Sequence, residues 1–399
     1  MHRRTLLASA GALAVAGRFS RAKADTPGVT DTQIKIGNTS PFSGPASAYG
    51  VNAKTHAAYF RMINESGGVA GRKINYISLD DAYSPPKTVE QTRKLVEQEG
   101  VAFIFAGLGT PTQSAVRQYM NRKEVPQIFV SSGADKFADP EHFPWTIGFQ
   151  PSYRLETAIY GKYILRERPN ARIGVLYQND DYGKDCLIGL KAGLGDRAAT
   201  MVVKEVSYEV TDATIDSQAT SLRSAGCDVV LTAAQPKWAA QMIRKIADLD
   251  WKPLHIMNFV STSVGAVIEP AGRENAIGML TATSQKDHTD PQWANDPGIA
   301  EWRAFMARYM PNADMTDGFP LWAYGNAIAL IQVLRQCGAD MSRANIMKQA
   351  ANLQELELPN LLPGIRVNTS ATNFHPIRAM RLARFNGRSW ELFGSVISA

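Results

Sequence analysis

Short apolar runs alternate with amphipathic stretches along most of this chain, and that alternation constrains the fold more than any other feature. Residues 34–37, 74–79, 103–106 and 127–130 read as strands. Between them apolar residues recur at helical spacing, as in Ala53, Ala57, Phe60 and Ile63, or Val89, Thr92, Leu95 and Val96. Strand, loop and helix then repeat at 173–177, 178–182 and 183–194, at 201–207, 211–213 and 214–225, and at 228–233, 234–236 and 237–249. Residues 256–259 and 279–282 are further strands, and 296–309, 319–337 and 342–353 are further helices. The tail, 379–385 and 390–397, reads as a hairpin around Asn386-Gly387. Ser84-Pro85 reads as an N-cap followed by proline at the first helical position, and Thr110-Pro111-Thr112-Gln113 as a capping box.

Repeated β-α units require mainly parallel sheets, because parallel neighbours are joined by crossovers whose helices then cover both faces. Roughly ten units exceed one compact sheet, so the expected fold is α/β with two Rossmann-like lobes. In such sheets ligands bind beyond the C-terminal strand ends. The loops to inspect are therefore 40–49, 107–112, 131–135, 178–183, 233–237 and 258–263.

The first 24 residues carry Arg3, Arg4, Arg18, Arg21 and Lys23 and no acid. Arg3-Arg4, the apolar stretch 6–17 and Ala22-Lys23-Ala24 have the three parts of an export signal cleaved before Asp25. The paired arginines followed by Thr5, Leu6 and Leu7 favour the twin-arginine route over an ordinary signal or a short anchor. No cysteine follows the cleavage site, which argues against a lipoprotein. The whole chain has a net charge of +6. Without this segment it is nearly neutral, which removes the case for a nucleic-acid partner. No apolar run reaches the ~18 residues of a membrane span. Cys186, Cys227 and Cys337 lack C-x-x-C spacing and read as buried unpaired thiols.

Catalytic signatures are missing. There is no phosphate loop, and Gly107-Leu108-Gly109 fails the dinucleotide fingerprint because position 112 is Thr. The six histidines are scattered without metal-ligand spacing, and no G-x-S-x-G elbow occurs. Asp80-Asp81 and Asp180-Asp181 read as helix caps or solvated loops rather than acid/base dyads. No cofactor is implied.

Several stretches resemble the Leu/Ile/Val-binding family of periplasmic substrate-binding proteins. They are Ile34-Lys35-Ile36-Gly37, Ser43-Gly44-Pro45 through Tyr49-Gly50, Ile63-Asn64 through Gly67-Gly68-Val69, Asp80-Asp81-Ala82, Thr112-Gln113 and Asp181-Tyr182-Gly183. The likeness runs in order through the chain after the export signal. It implies a type I periplasmic binding protein that closes over its ligand by hinge motion. Lobe 1 would comprise 25–150 plus 283–363, and lobe 2 would comprise 151–282 plus 364–399. Crossings are expected near 148–152, 281–283 and 363–367. The implied role is capture, as a monomer without catalysis, of a branched-chain or similar amino acid for the membrane permease of an ATP-binding-cassette importer. A periplasmic sensor and an exported hydrolase are the competing classes.

Carried over residue by residue, the resemblance puts the ligand carboxylate at Thr110 and at the carbonyl and N–H of Gly133. Tyr49 would line the pocket and Tyr182 would close over it. The sequence departs from the family in three places. The hydroxyl of the second strand-end loop is here Asp135, and the second-lobe aromatic is Gln235. The acid that pairs with an amino acid's ammonium is replaced by Phe259, Val260 and Ser261. A buried ammonium without a counter-charge costs several kcal/mol. Either Asp135 takes over that role, or the ligand is an amine-free small carboxylate, aromatic or other, walled by Phe259, Tyr49, Tyr182 and Trp238. The family's disulfide is also lost, with Tyr83 and Gly109 in its places.

Overall fold

A computed structural model of the chain describes residues 26–398; the segment expected to be an export signal lies outside them. The chain builds two sheets. The first contains β1 (Gln33–Ser40), β2 (Lys73–Asp80), β3 (Phe103–Phe105), β4 (Gln127–Val130) and β5 (Thr146–Gly148). It is parallel throughout, in the order β2-β1-β3-β4-β5. The second contains β6 (Ile173–Gln178), β7 (Val202–Tyr208), β8 (Val229–Ala233), β9 (Leu254–Met257), β10 (Leu280–Thr283), β11 (Ala379–Phe385) and β12 (Trp390–Ser398). Its order is β12-β11-β10-β9-β8-β6-β7, parallel except that β11 runs against both of its neighbours, β10 and β12.

Each sheet is covered on both faces, as the unbroken burial of β3, β4 and β8 requires. On the first sheet, Gly50–Glu65, Pro297–Tyr309, Phe319–Cys337 and Arg343–Ala350 contribute to one core. Leu95, Val101, Ile104, Val116 and Met120 form a smaller core beside Thr110–Arg122. The second sheet lies between a core with Tyr153–Glu167 and Asp181–Leu194 and another with Asp216–Ser224 and Pro236–Asp248. The chain passes between the sheets after β5, returns after β10, and goes back to form the terminal hairpin.

Most elements fall within a few residues of their expected places. The helix Tyr153–Glu167 and the short strand β5 were not foreseen. The helix hides its periodicity because part of its buried face is a seam of small residues. A Cβ on Gly161 would lie 2.7 Å from Leu190 O and 2.9 Å from Gly193 Cα on the helix Asp181–Leu194. The capping box is also corrected. Gly109, with φ of 103°, is the N-cap, and Thr110 is the first helical residue. Gln113 turns instead to Thr39 Oγ1, 3.1 Å away. Strand β9 stops at Met257, so Phe259 sits in the short turn Phe259–Ser261. Cys186, Cys227 and Cys337 are buried and free.

Candidate functional site

Residues following β1, β3, β4, β8 and β9 share one cleft between the sheets, with about 1110 Å³ of empty space including its open mouth. That placement follows from topology. Strand order reverses direction at β1 in one sheet and at β6 in the other, and loops diverge where it does. The described residues bridge the cleft in several places. Tyr49 Oη donates to Val260 O at 2.8 Å, and Gln235 Nε2 donates to Tyr83 Oη at 3.1 Å. Ser263 Oγ donates to Asp317 Oδ1 at 2.7 Å, and Gly265 N to Thr316 O at 3.0 Å. Lys136 Nζ meets Asp181 Oδ2 at 2.7 Å along another rim. This is a closed arrangement.

Tyr49, Thr110, Gln235 and Phe259 all line the cleft. Thr110 begins the helix Thr110–Arg122, and its hydroxyl lies 2.7 Å from Ser132 Oγ. The orphan N–H groups and dipole of that helix end suit an anion. Tyr49 packs against Phe319 with ring centroids 4.7 Å apart, and burial pushes its phenol pKa well above the ordinary value. Gln235 caps the helix Pro236–Asp248, and its N–H donates to Tyr208 Oη at 2.9 Å.

The other three expected residues stand elsewhere. Gly133 does not line the cleft, and its carbonyl accepts from Tyr153 N at 2.9 Å. Tyr182 is packed beneath the wall, with its ring 4.7 Å from that of Tyr153 and its hydroxyl 3.0 Å from Asn258 Oδ1. Asp135 also lies outside the lining. It accepts from Ser152 Oγ, pairs with Arg154 Nε at 3.4 Å, and its N–H reaches Asp185 Oδ2 at 2.9 Å. Its charge is therefore turned to Arg154, away from the position of a ligand counter-charge. Trp238 is core, its ring tilted against that of Tyr208 with centroids 4.9 Å apart and its indole N–H donating to Asp212 O.

The acid pairs are structural. Asp80 accepts from the N–H groups of Phe42, Ser43 and Ala82, and from Lys87. Asp81 accepts from Tyr83 N and Thr88 Oγ1, both at 3.0 Å. These bonds hold Ala82 and Tyr83 at φ of 50° and 59°, a left-handed pair costing about 1–3 kcal/mol each. Tyr83 is thereby fixed in the cleft wall. Asp180 caps the helix Asp181–Leu194, and burial pushes its pKa up to about 6.

Sequence reasoning missed Tyr83, Tyr153, Phe319, Trp322 and the lining residues 284–288, which follow the crossing expected at 281–283. Tyr83 was noted only as the place of a lost disulfide. Phe319 and Trp322 begin a helix, and their signal was a Gly-Phe-Pro start carrying large aromatics on a face that also had to pack. Lys286 and Asp287 bring charge to the lining, yet Lys286 Nζ is committed to Asp296 at 2.8 Å and to Pro359 O at 2.9 Å. Asp287 accepts from Trp390 N at 2.8 Å and from Thr289. Beneath Phe259, Glu156 is fully buried. It accepts from Phe259 N at 2.7 Å, from Tyr160 Oη and from Asn258 Nδ2, and burial pushes its pKa up to about 8. No group of acids, histidines and cysteines among the described residues is placed to hold a metal ion.

The sequence pattern described as "Periplasmic binding protein" matches residues 33–389. A curated relative, Leu/Ile/Val-binding protein homolog 7 of Brucella abortus (strain 2308), is 25% identical over 346 residues, covering 81% of this chain and 82% of the relative. Among solved structures, a branched-chain amino acid ABC transporter protein from Thermus thermophilus with bound valine superimposes with a TM-score of 0.81. It is 15% identical and covers 93% of this chain and 98% of that one. A solute binding protein of an ABC transporter from R. palustris, in complex with 4-hydroxybenzoate, gives a TM-score of 0.77 at 14% identity, covering 92% of this chain and 97% of that one.

Proposed function

This chain belongs to the periplasmic binding protein family, whose members bind substrates without transforming them, and from that premise we propose that it captures an amine-free small carboxylate with an aromatic body. The observation that carries this reading is the chemistry of the cleft wall. Thr110 supplies a helix N-terminus for a carboxylate, Phe259, Phe319 and Tyr49 supply rings, and Asp135 is turned away to Arg154. An ammonium seated near Phe259 would meet an apolar side chain where it needs an acid. The valine and 4-hydroxybenzoate complexes of the solved neighbours bracket the two ligand classes.

The open protein would take the ligand at the Thr110 wall, and closure by the Tyr49–Val260 and Gln235–Tyr83 bridges would bury it. Differential affinity for the closed form then drives the domain motion. The closed monomer would dock on the permease of an importer after export by the twin-arginine route. The expected lobes are 25–150 plus 283–363 and 151–282 plus 364–399. Packing of Ile365, Val367, Phe374 and Ile377 in the first-sheet core favours moving the third crossing to just before β11.

A branched-chain amino acid is the second reading, favoured by Asp287, a carboxylate in the lining that could face an ammonium. A thermal-shift panel of benzoate, 4-hydroxybenzoate, leucine and valine separates the two. Ligand at 100 times Kd adds about 2.7 kcal/mol of stability. Stabilisation by the benzoates alone supports the first reading. Stabilisation by the amino acids alone, lost in Asp287→Asn, replaces it with the second.

A further inference from the structure

One part of the cleft wall is chemically unfinished. Asn52, on the helix Gly50–Glu65, and Trp322, on the helix Phe319–Cys337, both line the cleft. Asn52 is 8% exposed, and its Oδ1 is buried with no hydrogen-bond partner. The indole Nε1 of Trp322 is buried and equally unpartnered. Burying an unsatisfied donor or acceptor costs about 1–3 kcal/mol, so native structures seldom leave either alone. Here one of each lines the same cavity, on two helices of the first-sheet core. Two polar groups beside them in the lining are satisfied: Tyr49 Oη bonds Val260 O, and Gln285 bonds Gly318 O and Asn360 Nδ2. Asn326 and Asn360 Oδ1 are also unpartnered, but those residues stand outside the lining.

We propose that Asn52 and Trp322 form a neutral polar subsite that holds a hydroxyl of the bound ligand, away from the carboxylate at Thr110. The inference rests on the small-carboxylate reading and deepens it. The two atoms ask for opposite things, since Asn52 Oδ1 needs a donor and Trp322 Nε1 needs an acceptor. A hydroxyl is both. A second carboxylate would satisfy the indole and repel the amide oxygen. An ammonium would satisfy the amide oxygen and leave the indole N–H unpaired. The nearby charges offer neither group compensation, since Lys286 is held by Asp296 and Asp287 by Thr289 and Trp390. A site built to bond a hydroxyl also rejects the analogue without it, because its own polar groups then stay buried and unpaired.

The test is calorimetry on the processed protein and on Asn52→Leu and Trp322→Phe, each first shown to unfold cooperatively. The probes are benzoate against 3- and 4-hydroxybenzoate, and valine against the near-isosteric threonine. The expected result is a preference of about tenfold or more for a hydroxylated member of whichever pair binds, falling below about threefold in both variants. Equal affinity for the two members in the parent protein overturns the subsite while leaving the carboxylate reading intact. So does a preference that survives both substitutions. Failure of every probe to bind overturns the carboxylate reading and the subsite with it.

Discussion

The ring of Tyr83 fills the space that a side chain on Gly109 would need: a Cβ built there would lie 2.5 Å from Tyr83 Cε2. The two positions at which the resemblance implies a disulfide thus carry a tyrosine and a glycine in steric contact. Tyr83 then reaches across the cleft to Gln235.

Gly109→Ala should therefore be doubly penalised, by the ring and by a φ of 103°. A loss of about 1–3 kcal/mol is expected in denaturant unfolding. The double variant Tyr83→Ala, Gly109→Ala should recover part of it. Strict additivity of the two changes would refute the contact.

Glu156 makes stability depend on pH. Burial raises its pKa from 4.5 to about 8, so the native state holds the proton that the unfolded chain gives up first. The stabilisation is complete below the unfolded pKa and is lost as pH rises through about 8. Asp180 and Asp317, each pushed up to about 6 by burial, act in the same direction over a lower range. Unfolding free energy should fall by a few kcal/mol as pH rises across this interval. Glu156→Gln should flatten its upper part. An unchanged slope above pH ~6.5 in that variant counts against the buried acid.

The Tyr49 hydroxyl donates to Val260 O between the lobes. Tyr49→Phe keeps the ring on Phe319 and removes that bond. Ligand affinity should drop by about 2- to 13-fold, matching 0.5–1.5 kcal/mol for one net hydrogen bond. Ligand-free small-angle scattering should show a larger radius of gyration. An unaltered profile and Kd would mean that the bond contributes nothing to closure.

Asp135→Asn should alter affinity for any bound carboxylate or amino acid by less than about fivefold, since a partly exposed ion pair is worth about 0–1 kcal/mol. Titration calorimetry on the variant decides this. A loss of tenfold or more for an amino acid would restore Asp135 as a ligand counter-charge.

The three thiols should not react with a water-soluble disulfide reagent in the native protein, and all should react in denaturant. Cys186 is fully buried, and burial pushes its pKa well up. Rapid native labelling of any one would contradict the packing.

The α/β alternation was legible because parallel strands buried on both faces are written as unbroken apolar runs, β8 being the clearest. The cleft was half legible. Strand-end topology located the loops that carry Tyr49, Thr110, Gln235 and Phe259, and the family resemblance singled out those residues within or beside them. Gly133, Tyr182 and Asp135 stand only a few residues or one packing layer from the lining, and a position along the chain does not say which way a turn aims its side chain. Gly133 illustrates this, since a Cβ there would overlap Pro151 O and lie 2.9 Å from the Tyr153 ring, which shields it from the cavity. Tyr153, Trp322 and the lining residues 284–288 were illegible for a different reason. They reach the site through the pairing of distant elements, which no local pattern encodes.

The terminal hairpin bears on how the binding site comes into being. Trp390 lines the cleft and ties its indole to Thr262 O, 128 residues earlier, at 2.8 Å. A nascent chain emerging in order cannot complete this wall until β12 has been made. Full enclosure of the ligand is therefore unavailable during early folding, and fragments truncated before the hairpin should hold it more weakly than the whole chain however well their first sheet is formed.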